Sequence, residues 1–248
     1  MNKILEIKNL SKNYYTINGE ISALEDISLN IFKNEIIGIV GSSGCGKSTF
    51  LSIMSGIENK TSGEIITNNY NFSYMLQSDA LLPWLNVVDN ACLGLEIKHQ
   101  KTPDNIAYVK KLLTDFGLAA FLKANPNNLS GGMRQRVALV RTLATKPDII
   151  LLDEPLSALD YVTRLSITDD IFNLIKSTQV TTILISHDIA ECISMCDRIV
   201  VLSKRPGKIK NIYNINLENK KTPSENRKDK LFVYYYELIW GDLDKNIT

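Results

Sequence analysis

The feature that most constrains this chain is the stretch GSSGCGKST at residues 41–49, which directly follows the apolar run IIGIV at 36–40. A glycine, four further residues and then Gly-Lys-Ser is the spacing of a phosphate-binding loop. Glycines allow positive backbone φ angles, which turn successive N–H groups inward and form a nest for phosphate oxygens. We therefore predict a nucleotide-binding loop that consists of Gly41, Ser42, Ser43, Gly44, Cys45, Gly46, Lys47, Ser48 and Thr49.

The residues that follow the loop predict a helix. In KSTFLSIMSGI, residues 47–57, helical spacing relates the apolar positions Phe50, Ile53, Met54 and Ile57. The partial positive charge at the N-terminus of such a helix would point at the same phosphates. Lys47 can reach the outer phosphates, and the Ser48 hydroxyl can ligate Mg²⁺. The alternative explanation is an ordinary glycine-rich turn between a strand and a helix.

Four short apolar runs each lead into polar residues. The runs occupy residues 36–40, 149–152, 181–185 and 199–202. Runs that are apolar on both faces are typical of interior strands of a parallel sheet. Helical patterns such as RLSITDDIFNLIKS and HDIAECISMC lie between them, which predicts the α/β class. In open parallel sheets, ligands bind at the carboxyl ends of the strands. The polar residues therefore lie where a binding or catalytic site is expected.

The other segments of the chain have different patterns. LEIKNLSKNYYTI and ISALEDISLNI alternate apolar and polar residues, as half-exposed antiparallel strands do. Residues 85–145 are poor in strand patterns and rich in helical ones, which predicts an inserted helical part. We take 199–202 as the last strand. The tail from residue 211 is polar until the aromatic stretch LFVYYYELIW, for which we predict a short helix.

Two acidic residues follow the buried run IILL. Asp153 can bind Mg²⁺, usually through its water, and Glu154 can polarise the water that attacks the terminal phosphate of a nucleotide. A pair of solvated acids at a strand end is the alternative. Together with a phosphate-binding loop, the two residues indicate metal-assisted hydrolysis of a nucleotide.

A second glycine pair opens the helical pattern in NLSGGMRQRVALVRTLA, residues 128–144. Ser130 is placed as the N-cap of that helix, and capping alone explains its presence. The helix start also fits an anion but lacks a lysine. A second interpretation is therefore that this segment completes the phosphate site of another molecule.

Three further residues have a structural explanation beside a functional one. Gln77 follows the run FSYML and would ordinarily be a surface side chain. His187 ends a buried strand, where a histidine is commonly structural. Tyr14 and its neighbour Tyr15 fit either the hydrophobic core or a platform on which a base stacks.

Composition argues against several classes of protein. Lys and Arg number 28 against 27 Asp and Glu, and this net charge of +1 lacks the basic footprint of a dedicated nucleic-acid-binding protein. No apolar run approaches the roughly 18 residues of a membrane span, and the N-terminus has no apolar core of a secretory signal. The cysteines lack paired CxxC spacing, so we expect free thiols in a reducing cytoplasm: Cys45, Cys92, Cys192 and Cys196.

Taken in order, GSSGCGKST, Gln77, LSGGMRQR, IILLDEP, SALD and His187 resemble the motifs of the ATP-binding cassette (ABC) ATPases over about residues 3–210. The order LSGGM and then IILLDEP is highly specific. The resemblance implies a P-loop NTPase (RecA-like) core with an N-terminal antiparallel β subdomain and an inserted α-helical signature subdomain. We expect one ABC ATPase domain over 1–248, with the first two parts at about 1–84 and 146–210, the helical subdomain at about 85–145 and a tail at 211–248.

The resemblance also implies ATP and Mg²⁺ as ligands and a role for each matched residue. Tyr14 is similar to the aromatic residue that stacks on adenine. Ser130, Gly131 and Gly132 resemble the signature that caps the γ-phosphate held by a second subunit. A further segment resembles the D-loop, which crosses the dimer interface in this family. It consists of Ser157, Ala158, Leu159 and Asp160. The catalytic residues implied are Lys47, Gln77, Glu154 and His187, and the Mg²⁺ ligands implied are Ser48, Gln77 and Asp153.

A narrower resemblance concerns QSDALLPWLNVVDNACLGLEI, LSGGMRQRVALVRTLA, LDYVTR and VLSKRPGKI, which are similar to the nitrate/sulfonate/taurine-type importer ATPases. Met133 agrees with this group. The segment between Gly63 and Gln77 is shorter than usual, and LSITDDI after Arg164 is atypical.

That group implies a homodimeric ATPase at the cytoplasmic face of the cell membrane, beneath two transmembrane permease subunits. An extracytoplasmic solute-binding protein would act on it indirectly, and no nucleic acid is expected as a partner. The alternative is a soluble ABC ATPase that acts on ribosomes or DNA. Such proteins usually carry two cassettes or long coiled-coil insertions, whereas this chain has one signature. The sequence does not specify the solute among nitrate, sulfonates, taurine, bicarbonate and vitamin precursors.

Two side chains carry separate predictions. Cys45 lies near a helix N-terminus and Lys47, and both features lower the pKa of a thiol. We predict inactivation by a maleimide and protection by MgATP; the alternative is a buried, inert cysteine. Trp84, in the stretch LLPW, either packs into the helical part or forms a docking surface for a permease helix.

Overall fold

The computed structural model describes residues 2–17, 19–157, 159–218 and 221–244, so Ala158 of the predicted D-loop lies outside the described residues. The strands are β1 (Lys3–Thr16), β2 (Gly19–Phe32), β3 (Ile36–Val40), β4 (Ser62–Thr67), β5 (Phe72–Met75), β6 (Ile149–Asp153), β7 (Thr181–Ile185), β8 (Arg198–Leu202) and β9 (Ile209–Asn214). The helices are α1 (Lys47–Met54), α2 (Val87–Ile97), α3 (Pro103–Asp115), α4 (Gly131–Leu143), α5 (Tyr161–Thr178), α6 (Ile189–Met195), α7 (Pro223–Asn226) and α8 (Lys230–Asp244).

The strands form two sheets, as the two kinds of hydrophobic pattern predict. β1 pairs with β2 and β4 in an antiparallel sheet of order β2-β1-β4. The second sheet has the order β5-β6-β7-β3-β8-β9, in which the first five strands are parallel. The predicted α/β class is therefore confirmed, and the four predicted runs form the centre of the parallel sheet.

The hydrophobic core consists of two clusters, one on each face of the parallel sheet. Alternate residues of β3 belong to different clusters: Ile37 and Ile39 pack with the antiparallel sheet and α1, whereas Ile36 and Val40 pack with the other helices. Strands β6 and β7 alternate in the same way. This two-sided burial explains why these strands have continuous apolar sequences.

The described residues between 85 and 145 form helices α2, α3 and α4 with 3-10 turns at Ala119–Phe121 and Pro126–Asn128. A polar side chain caps each helix N-terminus and accepts a bond from the N–H three residues later: Asn86 for α2, Thr102 for α3 and Ser130 for α4. These helices bury Val87, Val109 and Val137 in the cluster that contains Ile150 and Leu152 of β6.

Two expectations about element ends are wrong. Strand β9 extends into the region expected to be tail and pairs antiparallel with β8. Its sequence, IKNIYN, is mostly polar because it is an edge strand with partly exposed side chains. Helix α1 ends at Met54, so Ile57 follows it in a turn and is 68% exposed, whereas Phe50, Ile53 and Met54 are buried as predicted.

Two buried thiols pack over Gly38 in the middle of β3. A Cβ atom at Gly38 would lie 2.8 Å from the Sγ of Cys196 and 3.3 Å from the Sγ of Cys192. Both thiols are fully buried, and all four cysteines of the chain are free, as predicted. Among the ranges described, no helix combines the length and apolarity needed to cross a bilayer.

Candidate active site

The carboxyl ends of β3, β5, β6 and β7 bring most of the predicted site residues to one edge of the sheet. A cavity of about 660 Å³ opens there. Its walls include the predicted residues Tyr14, Ser43, Gly44, Gly46, Lys47, Ser48, Thr49, Gln77, Glu154 and His187. A neighbouring open cavity also contacts Asp153 and Ser157. The edge of the sheet is therefore where the predicted nucleotide loop meets the predicted acids.

The loop after β3 has the conformation that its glycines allow. Gly46 has a φ of 105° and directly precedes α1. A Cβ atom on Gly46 would lie 2.7 Å from the carbonyl oxygen of Ala23, so the site tolerates no side chain. The Nζ of Lys47 donates to the carbonyl oxygens of Gly41 at 2.8 Å and Ser42 at 3.1 Å. The loop thus holds an ammonium group inside its curve, beside the N-terminus of a helix.

The prediction of a reactive Cys45 is wrong. Cys45 is fully buried and packs in the cluster between the two sheets. Burial raises the pKa of the Cys45 thiol, and the nearby Lys47 offsets this only in part. The thiol therefore lies in the core and not in the cavity, which leaves the alternative of an inert cysteine.

Asp153 ends β6 beside the first turn of α1. The Ser48 hydroxyl donates to its Oδ1 at 3.3 Å, and the Tyr74 hydroxyl donates to its Oδ2 at 2.9 Å. Burial and the adjacent Asp153 carboxylate both raise the pKa of Tyr74, so that hydroxyl stays protonated. Asp153 is only 6% exposed, and its two carboxylate oxygens accept bonds from hydroxyl groups and form no ion pair among the described residues. A buried carboxylate beside a hydroxyl fits a hard divalent cation such as Mg²⁺.

Glu154 is the centre of a second group. Its Oε2 accepts a hydrogen bond from the Gln77 amide at 3.2 Å and lies 3.1 Å from the Nδ1 of His187. The residue has a φ of 47°, which is uncommon for a residue other than glycine. Its backbone N–H donates to the carbonyl of Ile185 on β7. Three separate strand ends therefore place Gln77, Glu154 and His187 in contact.

A buried polar network holds the segment around His187. The Ser186 hydroxyl donates to the Oε2 of Glu191 at 2.5 Å and accepts from the backbone N–H of Asp188. Asp188 caps α6 and pairs with Arg164 at 3.6 Å. Arg164 also donates to the carbonyl of Leu159 at 3.0 Å, so α5 connects the predicted D-loop with the His187 segment. Neither Arg164 nor Glu191 was predicted from the sequence as part of the site.

The predicted signature lies away from the cavity. Ser130 is the exposed N-cap of α4, and its Oγ accepts from the N–H of Met133 at 3.3 Å. Gly132 packs against α5, because a Cβ atom there would lie 2.6 Å from the Cδ1 of Ile167. Gly131 has more space, since its nearest neighbour would be Leu159 at 3.5 Å. Within one described chain, these residues do not line the cavity that contains the phosphate loop.

Comparison with known proteins decides the family. The family model described as ABC transporter matches residues 24–157. The chain belongs to the ABC transporter family. The uncharacterized ABC transporter ATP-binding protein YtlC of Bacillus subtilis is 39% identical, and the match covers 97% of this chain and 95% of YtlC. The taurine import ATP-binding protein TauB of Roseobacter denitrificans is also 39% identical, with 85% of this chain and 82% of TauB covered.

A solved structure supports the same family assignment. The ATP-binding cassette MJ0796, solved as a dimer in a post-hydrolysis state with ADP and Pi, has a TM-score of 0.75 and 29% identity; the match covers 86% of this chain and 99% of MJ0796. The predicted P-loop fold and ABC ATPase activity are confirmed. The resemblance to the nitrate/sulfonate/taurine-type importer ATPases is confirmed as well.

In this ABC ATPase, the segment after Gln77 is joined to α4. The Nε of Arg134 donates to the Oδ2 of Asp79 at 2.8 Å, and Arg141 donates to the carbonyls of Asp79 and Ala80. The segment therefore has a direct connection to the helix that begins at the predicted signature.

The loop that contains Trp84 is built around a buried asparagine. Asn90 is fully buried; its Oδ1 accepts from the N–H of Leu82, and its Nδ2 donates to the carbonyls of Leu82 and Leu85. These bonds fix a turn that leaves Trp84 74% exposed. The alternative that Trp84 packs into the helical part is therefore wrong.

One wall of the cavity is formed by residues of β1, β2 and the loop after β8. Tyr14 lines the cavity and pairs with Ile21 across the strands, whereas Tyr15 is 75% exposed and does not line it. Arg205 completes this wall of the cavity and was not identified from the sequence as a site residue. Arg205 could have been predicted as a site residue, because it belongs to the polar residues that follow the strand at 199–202.

Proposed function

We propose that this chain is the ATP-hydrolysing subunit of an importer, which couples ATP binding and hydrolysis to solute uptake through a membrane permease. The observation that carries the proposal is the separation of the two phosphate-directed elements. The cavity contains Lys47, Glu154 and His187, whereas the predicted signature is exposed at the start of α4. The exposed N-terminus of α4 can bind an anion, so it fits the phosphate site of a second copy in a head-to-tail dimer.

ATP would bind with its base near Tyr14 and its phosphates in the loop after β3. The backbone N–H groups of the loop and the N-terminus of α1 favour anionic oxygens, and Lys47 is already held beside them. Ser48 and Asp153 would hold Mg²⁺, with Gln77 as the third predicted ligand. When bound, the ion would neutralise charge on the phosphates.

Glu154 would accept a proton from the attacking water. Its Oε1 forms no hydrogen bond within the described residues, whereas its Oε2 contacts Gln77 and His187. The carboxylate therefore has one oxygen positioned by neighbours and one available to water. His187 would contact the γ-phosphate. The Gln77 amide would keep its hydrogen bond to the Glu154 carboxylate.

The dimer can be tested with two defective variants. Ser130→Arg should block the signature, and Lys47→Ala should block the phosphate loop, so each pure variant is expected to lose ATPase activity. Mixed at equal concentration, they should recover activity, because one heterodimer interface combines the intact loop of the first with the intact signature of the second. Absence of any recovery, with both variants folded by circular dichroism, would contradict the head-to-tail arrangement.

The permease would dock at Trp84. The side chain is exposed on a turn that Asn90 fixes, and the adjacent segment leads to Gln77 and to α4 through Asp79. Tryptophan is enriched among interface hot spots, and truncation of one costs at least about 2 kcal/mol of binding. Two transmembrane subunits and, indirectly, an extracytoplasmic solute-binding protein would complete the importer at the cytoplasmic face of the membrane.

Trp84→Ala tests this docking surface. We expect the variant to keep its melting temperature and its affinity for ATP but to lose about 30-fold in affinity for the membrane subunits that co-purify with the tagged wild-type protein. Trp240→Ala is the matched control, because Trp240 is also exposed but lies on α8. Equal affinity of both variants and the wild type would contradict docking at Trp84, and co-purification with ribosomes instead would favour the soluble alternative.

The solute would belong to the nitrate/sulfonate/taurine class, and the support is the named taurine import relative. The solute does not contact an ATPase subunit of this kind, so the measurement concerns the partner binding protein. Calorimetry of that protein with taurine, an aliphatic sulfonate and nitrate is expected to show binding of one of them. Binding of an unrelated solute only would contradict the proposed class.

A further inference from the structure

Arg205 lines the nucleotide cavity on the side formed by Tyr14, Ile21 and Ala23. The lining residues of β1 and β2 include no acidic side chain, in contrast to the part of the cavity that contains Gln77, Glu154 and His187. Within the described ranges, Arg205 forms no hydrogen bond and no ion pair. A cation in a polyanion-binding cavity is thus present without a protein partner.

The loop that carries Arg205 is fixed to both walls of the cavity. The N–H of Gly207 donates to the carbonyl of Ala23 at 2.9 Å, and the carbonyl of Gly207 accepts from the N–H of Glu25 at 3.0 Å. The backbone of Gly207 also lies directly against the carbonyl oxygen of Cys45, where no Cβ atom fits. The loop is therefore anchored two residues after Arg205, at the junction of β2 and the phosphate loop.

Bonds within the loop add to this anchoring. The Ser203 hydroxyl donates to the carbonyl of Pro206 at 2.9 Å and accepts from the N–H of Lys208 at 2.9 Å. A closed loop with both ends bonded limits where the Arg205 guanidinium can go. The neighbouring Lys204 is exposed like Arg205 but does not line the cavity.

We propose that Arg205 binds the nucleotide at its base end, where its planar guanidinium packs against the purine beside Tyr14. Guanidinium groups stack on aromatic rings and retain their charge at all physiological pH values. This inference rests on the proposed function, because it requires a nucleotide in the cavity. It adds a residue that distinguishes a nucleotide from phosphate alone, which Lys47 and the loop after β3 already accommodate.

Calorimetry with ADP, AMP-PNP and inorganic tripolyphosphate tests the assignment in the full chain. Arg205→Ala should weaken ADP and AMP-PNP by the same factor of about ten, which is the size of one cation–π contact in a partly desolvated site. Tripolyphosphate, which has no base, should bind the variant and the wild type equally. Lys204→Ala is the matched control and should leave all three affinities unchanged, because it removes the same charge from outside the cavity.

The outcomes separate this inference from the proposed function. Wild-type protein that binds neither nucleotide would overturn both. Nucleotide binding that is equal in wild type and Arg205→Ala would overturn the role of Arg205 alone. A loss confined to AMP-PNP, or an equal loss for tripolyphosphate, would place the guanidinium at the phosphates and overturn the assignment to the base end. Because Arg205 is exposed, the charge reversal Arg205→Glu provides a second folded variant, and wild-type affinity in that variant would also overturn the assignment.

Discussion

Replacement of Glu191 by glutamine should change how the free energy of unfolding depends on pH. Glu191 is 3% exposed; its Oε2 accepts from Ser186, whereas its Oε1 is buried and has no hydrogen-bond partner. Burial raises the pKa of Glu191 from 4.5 to about 7, and the nearby Asp188 raises it further, whereas Ser186, Arg164 and Arg227 oppose the shift. The folded protein therefore prefers the protonated carboxyl.

The sign follows from proton binding. Between pH 4.5 and about 7, the folded state holds a proton on Glu191 that the unfolded state has lost, so stability falls as the pH rises through this window. Above pH 7 the full penalty is present. A shift of this size corresponds to about 3 kcal/mol, since one pKa unit is about 1.4 kcal/mol.

Urea unfolding followed by tryptophan fluorescence at pH 5 and pH 8 measures the effect. Glutamine has the same shape but cannot ionise, so Glu191→Gln should lose less stability than the wild type between these pH values, by about 2.5 kcal/mol, because part of the penalty is already present at pH 5. Any constant cost of the new amide cancels in this difference. Glu237→Gln, on the exposed face of α8, is the matched control and should follow the wild type. Parallel pH profiles for Glu191→Gln and the wild type would refute the reasoning.

Three further predictions concern the site and its neighbours. Glu154→Gln should bind ATP but release phosphate about 10²–10⁴-fold more slowly, and it should accumulate as ATP-bound dimers in size-exclusion chromatography; a rate near wild type would remove Glu154 from its proposed role. A maleimide should leave Cys45 unmodified in the folded protein and modify it in urea, as read by peptide mass; modification of the folded protein at Cys45 would contradict its burial. Gly132→Ala should lower the free energy of unfolding by about 1–3 kcal/mol because of the contact with Ile167, whereas Gly131→Ala should leave it nearly unchanged. Equal stability of the two variants would contradict the packing at Gly132.

The central strands could be predicted because each is buried on both faces and is followed by polar residues. In β3, β6 and β7 every residue is buried, so the apolar runs have clear ends. Strand β9 has no such pattern, because one of its edges is unpaired and its side chains are partly exposed. The sequence therefore predicts the interior of the sheet better than its edge.

For the site, the sequence predicts which residues reach the sheet edge but not their contacts. The meeting of Gln77, Glu154 and His187 depends on the order of β5, β6 and β7 in the sheet, which no single segment encodes. The direction of a side chain is likewise absent from sequence spacing, and this explains the wrong prediction for Cys45. Proximity to Lys47 along the chain does not indicate that the thiol points away from the cavity.

The packing of two sulfur atoms over Gly38 has an evolutionary consequence. A methyl group at position 38 would lie 2.8 Å from the sulfur of Cys196, too close for either atom to remain in place. Alanine at position 38 therefore requires either a shift of the Cys196 sulfur or a smaller side chain at position 196. Across an alignment of relatives, we expect the side-chain volumes at these two positions to vary inversely, although they lie 158 residues apart in the sequence. Substitutions in the strand that leads into the phosphate loop would then be correlated with substitutions at the end of α6.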